Sequence, residues 1–148
     1  MGILQSLFGN RAAYVQSHIA PMMAMMLIDG HAADKEKRVI FARLNELGVT
    51  PQELEQLVKN PPPITIPPTK EDRLRAIFEV CLVMLADGKV DEREMALTVA
   101  LCSKFGLTPQ EGTQCLVAAR ELSSRFQPGV DLHGEIERAF NKIQSGMN

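Results

Sequence analysis

Apolar residues recur three or four positions apart along most of the chain, which is the spacing of one face of an α-helix. The clearest run lies in the second half of the chain and comprises Leu74, Ile77, Phe78, Cys81, Leu82 and Leu85. A second run predicts the inner face of the next helix and comprises Met95, Thr98, Val99, Cys102 and Phe105. No segment shows the strict alternation of a half-buried strand, so the pattern predicts an all-α fold.

Capping residues predict where the helices of the second half begin and end. Thr69 is placed as an N-cap, and the helix that it opens is expected to end at Gly88, because glycine adopts the left-handed conformation without cost. Asp91 and Glu94 have the spacing of a capping box, which predicts a second helix that Gly106 closes. Thr108-Pro109-Gln110-Glu111 opens a third helix, expected to reach about residue 126, and a last helix is predicted over 131–145.

The first half of the chain has the same order of signals. A helix is predicted from about residue 11 to 29, kinked or broken at Pro21, because proline lacks the amide proton that a helix interior needs. A second helix is expected over 34–47 and a third over 51–59. Residues 60–68 lie between the halves, and the five prolines among them predict an extended, stiff strap.

The two halves are copies of one unit. When the sequence is shifted by 58 residues, segment 22–58 aligns with 80–116 without a gap, and 12 of the 37 pairs are identical. Unrelated segments would share about two or three, so the repeat is a duplication. It predicts one domain over residues 1–148, with seven to eight helices in two pseudo-symmetric halves.

Each copy carries the acidic signature Asp-Gly-x5-Glu, at Asp29 and Glu36 in the first and at Asp87 and Glu94 in the second. The aspartate is placed at a helix C-terminus, where the partial negative charge of the helix makes a carboxylate unfavourable. A hard divalent cation would explain the placement, since calcium, magnesium and manganese bind carboxylate and carbonyl oxygens.

The sequence therefore predicts one cation between two facing turns, with four carboxylates as ligands. Three neighbouring side chains are candidates for a supporting role: Asp34, Asp91 and His31. The spacing is not that of an EF-hand, and the residue types are not those of a zinc site.

A structural role for the same turns is the alternative. The aspartates would close the turns by accepting local amide protons, and the glutamates would complete capping boxes. The copies differ in one respect, because Ala33 stands where the second copy has Asp91. Glu36 thus has no capping partner of that kind, which favours the cation.

Composition and charge limit the partners. The formal net charge is −2, with acidic and basic residues mixed and no basic stripe, so no nucleic-acid partner is expected. The longest apolar run is short and contains Pro21, and no secretory signal is recognised, so a cytoplasmic protein is predicted. Residues 2–8 offer at most peripheral contact with a membrane. The sequence does not specify an oligomeric state.

Cysteine and enzyme motifs give no sign of catalysis. The three cysteines form no CxxC pair and lie in apolar stretches, which predicts free, buried thiols in a reducing compartment. The methionines at 22, 23, 25 and 26 are expected to be core residues, with an adaptable partner groove as the alternative. No nucleophile motif or phosphate loop is present, so a metal-dependent hydrolase is only a remote alternative.

The segment Leu85-Ala86-Asp87-Gly88-Lys89-Val90-Asp91-Glu92-Arg93-Glu94 resembles the "ADGxVDxxE" signature of the TerB-like family. These are tellurite-resistance TerB proteins, with relatives in membrane-bound DnaJ-type co-chaperones. The first copy, residues 28–36, is a looser version, and the similarity covers about residues 12–145. The first copy departs from the pattern at Ile28 and Ala33.

The resemblance implies an all-helical fold with two pseudo-symmetric halves and a divalent-cation site at Asp29, Glu36, Asp87 and Glu94. It also implies a role in bacterial stress-response complexes, often near the inner face of the inner membrane, without known catalysis. The expected function is accordingly a non-catalytic module that binds a divalent cation and protein partners. A pure protein-interaction module with structural turns is the alternative.

Overall fold

The computed structural model describes residues 12–28, 48–85, 90, 92–124 and 132–146, which form six helices. Helix α1 covers residues 12–27, and the others are α2 (Pro51–Lys59), α3 (Lys70–Leu85), α4 (Glu92–Lys104), α5 (Pro109–Ser124) and α6 (Leu132–Gly146). This part of the chain has no strand, which confirms the all-α prediction. It has six helices where seven to eight were predicted, and the helix predicted over 34–47 lies outside the described residues.

Pro21 does not break α1. The helix has an α-helical turn at Ala12–Tyr14, a π-helical segment at Val15–Ile19 and an α-helix at Ala20–Leu27. Proline has no amide proton to donate and its ring crowds the preceding turn, so the wide π-helical turn immediately before Pro21 relieves both problems. The helix therefore continues through Pro21 with a local irregularity and without the break that was one of the two predicted outcomes.

Helix α3 is the centre of the fold and packs against α1, α4, α5 and α6. Every residue from Ala76 to Leu85 is buried, and most of them are apolar. The four methionines of α1 are also buried, at 1% exposure or less, which confirms that they are core residues. No helix in the described part of the chain is both long and apolar enough to cross a membrane.

The caps predicted at Thr69 and Thr108 are confirmed, whereas Asp91 of the predicted Asp91–Glu94 capping box and the helix end at Gly88 lie outside the described residues. The Thr50 hydroxyl accepts the Glu53 amide proton at 3.2 Å, and the Glu53 carboxylate accepts the Thr50 amide proton at 2.9 Å. Thr108 and Glu111 make the same pair of bonds at 3.1 and 2.8 Å. The Thr69 hydroxyl accepts the Asp72 amide proton at 3.1 Å and opens α3 as expected.

The chain also turns alike in both copies. Gly48 and Gly106, which are 58 residues apart, have φ angles of 71° and 73°, the left-handed conformation that glycine favours. The residues after them, Val49 and Leu107, are both buried. Each copy thus carries a left-handed glycine, a buried apolar residue and a threonine capping box in the same order.

The strap between the copies is held by hydrogen bonds to its backbone amide and carbonyl groups. It contains no helix, and the Thr65 amide donates to the Gln16 carbonyl of α1 at 3.1 Å. The Arg73 guanidinium donates to the carbonyls of Pro67 and Pro68, both at 2.9 Å. These bonds fix the strap to α1 at one point and to the start of α3 at another.

The inner face of α4 was predicted correctly in part, because Thr98 and Phe105 are buried as expected and Val99 is not. The buried residues of α4 are Glu94, Thr98 and Leu101, and Phe105 directly after the helix is buried too. Val99 is 61% exposed, and Met95 and Cys102 are half-buried at the edge of the core. The helix is therefore rotated relative to the prediction. The apolar pattern was misleading because a carboxylate occupies the first position of the buried stripe.

Candidate functional site

The seven residues predicted for the acidic site are described very unequally. Glu94 lies in the first turn of α4 and is described fully. The other six lie outside the described residues: Asp29, His31, Asp34, Glu36, Asp87 and Asp91. The geometry of the candidate site is therefore built from Glu94 and from the helix ends that lead into the turn between α3 and α4.

Glu94 is buried, with 5% of its surface exposed. Its carbonyl oxygen accepts the Thr98 hydroxyl proton at 3.0 Å, and the same hydroxyl lies 3.4 Å from the Met84 sulfur at the end of α3. These contacts place the first turn of α4 against the last turn of α3. Asp87 follows Leu85, the last residue of α3, by only two positions.

The burial of Glu94 distinguishes it from the capping glutamates of this chain. Glu53 and Glu111 are only half-buried, and the hydrogen bonds of both capping boxes are exposed to solvent. A carboxylate taken out of water is costly unless charges, hydrogen bonds or a cation compensate it. Glu94 is thus further removed from solvent than the capping glutamates, of which the Glu111 side chain is 12% exposed.

The last turn of α3 is held in place from a second side. The Ser123 hydroxyl of α5 donates to the Leu85 carbonyl at 2.9 Å, so α5 satisfies one of the carbonyls that a helix end leaves free. The last turn of α3, which precedes Asp87 in the sequence, is therefore fixed between α4 and α5. Chelation by carboxylates needs such rigid supports, because a loose site costs ordering entropy when the ion binds.

No set of three or more His, Cys, Asp or Glu side chains is arranged to hold a metal ion within residues 12–28, 48–85, 90, 92–124 and 132–146. The predicted cation site draws all but one of its ligands from other positions. Among the predicted ligands, only Glu94 lies in the described part of the chain. Its carboxylate oxygens are of the type that calcium, magnesium and manganese prefer.

The three cysteine thiols are free, as predicted, and Cys81 and Cys115 are buried whereas Cys102 is half-buried. Burial raises the pKa of Cys115 to about 12, with further increases from Cys102 and Glu111 nearby. Burial also raises the pKa of Cys81 and of Cys102. Thiols with raised pKa values are weak nucleophiles at neutral pH, so they do not have the properties of catalytic cysteines.

Two buried ionisable side chains were missed by the sequence analysis. Glu79 of α3 is fully buried, and His18 in the π-helical segment of α1 is 2% exposed. The signal for Glu79 was its position between Phe78 and Val80 in a helix that is apolar on all sides. Helices α1 and α3 pack together in the core. The core of this protein therefore contains these two ionisable side chains in addition to aliphatic side chains.

No family model, curated protein or solved structure matches the chain. The likeness to TerB proteins therefore rests on the motif residues and on the repeat.

The charge of Glu111 gives a prediction about acid stability. The hydrogen bond from the Lys70 ammonium and then the amide of Thr108 lower the pKa of this carboxyl below its ordinary value of 4.5. The unfolded chain therefore takes up the proton first as pH falls. The stabilisation is complete above pH 4.5 and is lost as pH falls below it through the native pKa.

Urea denaturation of the wild type and of Glu111→Gln between pH 7 and pH 3 measures this effect. Glutamine can still accept the Thr108 amide proton, so the cap is kept and only the charge is removed. The difference in unfolding free energy between the two proteins should shrink as pH falls below 4.5, and Lys70→Met should reproduce the change. Curves that stay parallel over the whole range would contradict the assignment.

Proposed function

We propose that this protein is a non-catalytic helical module that binds one divalent cation between its duplicated acidic turns and associates with protein partners. The ligands are Asp29, Glu36, Asp87 and Glu94, with support from Asp34, Asp91 and His31. In this proposal the two halves pack about a pseudo-two-fold axis, as in TerB-like proteins. The module serves a bacterial stress-response complex in the cytoplasm or at the inner face of the inner membrane.

The burial of Glu94 is the observation that carries the proposal. The sequence offered two roles for this residue, as a capping glutamate or as a cation ligand. The chain contains two proven capping glutamates for comparison, Glu53 and Glu111, and both face solvent to a greater extent. The Glu94 carboxylate, seven residues after Asp87, offers oxygen ligands of the type that calcium and manganese prefer.

The repeated local geometry supports a second, equivalent turn in the first copy. Gly48 and Gly106 share the same left-handed conformation, and the capping boxes that follow them are alike. Because the copies fold alike wherever both are described, the Asp29 turn is proposed to resemble the Asp87 turn. Two acidic turns that face each other would repel unless a cation lay between them.

One observation favours the alternative of a protein-interaction module with structural turns. The Thr50 and Thr108 capping boxes are duplicated with the same fidelity as the acidic turns, and they act on the backbone alone. Repetition by itself thus does not identify a ligand site. The two functions differ in one respect that can be measured, which is the response of stability to divalent cations.

Thermal unfolding with increasing calcium, magnesium or manganese tests the proposal. A cation that binds only the folded chain raises the unfolding free energy by about 2.7 kcal/mol at 100 times its dissociation constant. For a chain of this length that corresponds to a rise of roughly 5–10 °C in the unfolding midpoint. At least one of the three cations should produce this rise below millimolar concentration.

Matched variants separate a ligand from a cap. Glu94→Gln and Asp87→Asn should remove the cation response, whereas Glu111→Gln, at the corresponding position of a proven capping box, should keep it. If no cation shifts the midpoint, only the interaction half of the function remains. An equal response in Glu94→Gln and the wild type would assign Glu94 to the structural alternative.

A further inference from the structure

A half-open groove lies between α5 and α6, away from the acidic turns. Its volume is about 450 Å³, which is in the usual range for ligand and side-chain pockets. The floor is apolar, and Val117 in its wall is 51% exposed. A single exposed valine is common on protein surfaces, so the case for a partner rests on the groove and its charges.

The two ends of the groove differ in charge. Helices α5 and α6 pack on each other and are joined by seven residues, and such short connections link antiparallel helices. Glu121 in the last turns of α5 and Glu135 in the first turn of α6 therefore lie at one end. Lys142 lies at the other end with Thr113, near the N-terminus of α5, where the helix dipole is also positive.

The charged side chains at the two ends of the groove differ in the ion pairs that they form. Glu135 already binds Arg138 at 2.6 Å, which leaves the acidic end partly neutralised. Lys142 is exposed and forms no ion pair within the part of the chain that is described. The acidic end still has two carboxylates against one guanidinium, and the other end has the Lys142 ammonium. This arrangement favours an occupant that brings a carboxylate to Lys142 and a cation to the acidic end.

The middle of the groove admits close approach. Ala118 of α5 and Ala139 of α6 lie between the charged ends, together with Val117, and Ile143 lies beside Lys142. Small side chains let a third helix approach the backbone of the other two, and an amphipathic helix in a groove is a common recognition mode. The neighbouring groove between α4 and α5 has no charged lining residue and does not specify an occupant.

We propose that this groove binds an amphipathic helix of a protein partner, with an acidic residue at Lys142 and a basic residue at Glu121 and Glu135. From Thr113 to Glu121 the groove spans roughly 12 Å, so the two charges on the partner should be about eight residues apart, with apolar residues between them. The proposal rests on the interaction half of the proposed function and is independent of the cation.

Two designed helical peptides test the proposal by fluorescence polarisation at low ionic strength in the presence of EDTA. Both carry leucine and alanine on one face, and the first has Glu and Lys eight residues apart whereas the second has Lys at both positions. A peptide can bind in either direction, so this pair changes the charges without depending on orientation. The first should bind with a dissociation constant in the micromolar range and roughly five-fold more tightly than the second.

Variants with matched controls locate the binding site. Lys142→Glu should reverse the preference so that the second peptide binds more tightly, whereas Lys104→Glu on α4 should not. Val117→Asn should weaken binding roughly five-fold, and Val99→Asn, at an equally exposed valine outside this groove, should leave it unchanged.

Three results would overturn the proposal that this groove binds a helix. They are no binding below 1 mM by either peptide, equal affinity for both peptides, or an equal effect of the two valine variants on peptide affinity. Because EDTA removes divalent cations, none of these results depends on the acidic turns. A failed cation titration with a positive peptide result, or the opposite, therefore identifies which of the two ideas is wrong.

Discussion

Replacing Phe78 by alanine is expected to lower the free energy of unfolding by about 3–5 kcal/mol, the largest effect of any single change considered. Phe78 lies on α3, is completely buried, and its ring centre is 6.5 Å from that of Phe140 on α6. Alanine removes the ring and leaves a cavity that neighbouring helices cannot fill. The aromatic contact with Phe140 contributes to the loss as well.

Urea denaturation at 25 °C measures this change. The loss is a large fraction of the 5–15 kcal/mol that a domain of this kind typically has, and it should lower the thermal midpoint by roughly 10 °C. Phe78→Leu should cost markedly less because more of the volume is kept. The exposed Val99→Ala is the control and should change stability by less than about 0.5 kcal/mol. Similar losses for Phe78→Ala and Val99→Ala would contradict the position of α3 at the centre of the core.

The second large effect is expected at Arg75, where replacement by alanine should cost about 2 kcal/mol. The guanidinium donates to both carboxylate oxygens of Glu137 on α6, at 2.6 and 3.0 Å. It also lies 4.3 Å from the centre of the Phe140 ring, within the range of a cation–π contact. Because 33% of the Glu137 side chain is exposed, solvent screens the ion pair and keeps the effect below that of a buried pair.

Arg75→Lys separates geometry from charge. Lysine keeps the positive charge but cannot make the paired bonds or stack on the ring, so it should restore less than half of the lost stability. Glu137→Gln should remove part of the same interaction, and the double variant with Arg75→Ala should cost less than the sum of the two single changes. Additive effects would mean that the contact between Arg75 and Glu137 contributes nothing to the docking of α6.

The helix ends were predictable from the sequence because capping chemistry is local. Thr50, Thr69 and Thr108 each cap the helix that the sequence assigned to them. Gly106 closes α4 in the left-handed conformation, as expected of a residue without a β-carbon. These signals need only a few neighbouring residues, so distant packing did not override them.

Two features depended on packing and were not predictable. The chain adjusts to Pro21 with a π-helical turn inside a mostly buried helix, and local propensity predicts only that the regular helix is interrupted there. The buried face of α4 was misread because Glu94, a charged residue, lies inside while Val99 lies outside. An apolar pattern cannot identify a buried carboxylate, since the pattern assumes that charge faces solvent.

Glu94 also shows which part of the candidate site could be predicted from the sequence and which part could not. The spacing of Asp87 and Glu94 predicts an acidic turn, and the repeat predicts its counterpart at Asp29 and Glu36. The spacing is equally compatible with a cap and with a ligand, so it could not choose between them. The exposed fraction of Glu94 is a tertiary property and adds the observation that favours the ligand.

Manganese binding measured by electron paramagnetic resonance tests the shared acidic site most directly, because free Mn²⁺ gives a strong signal that coordination by the protein broadens. The account predicts one bound Mn²⁺ per chain in the wild type and in Glu111→Gln, and none in Glu94→Gln. Two independent ions per chain, or a free-ion signal that the wild type leaves unchanged, would contradict it.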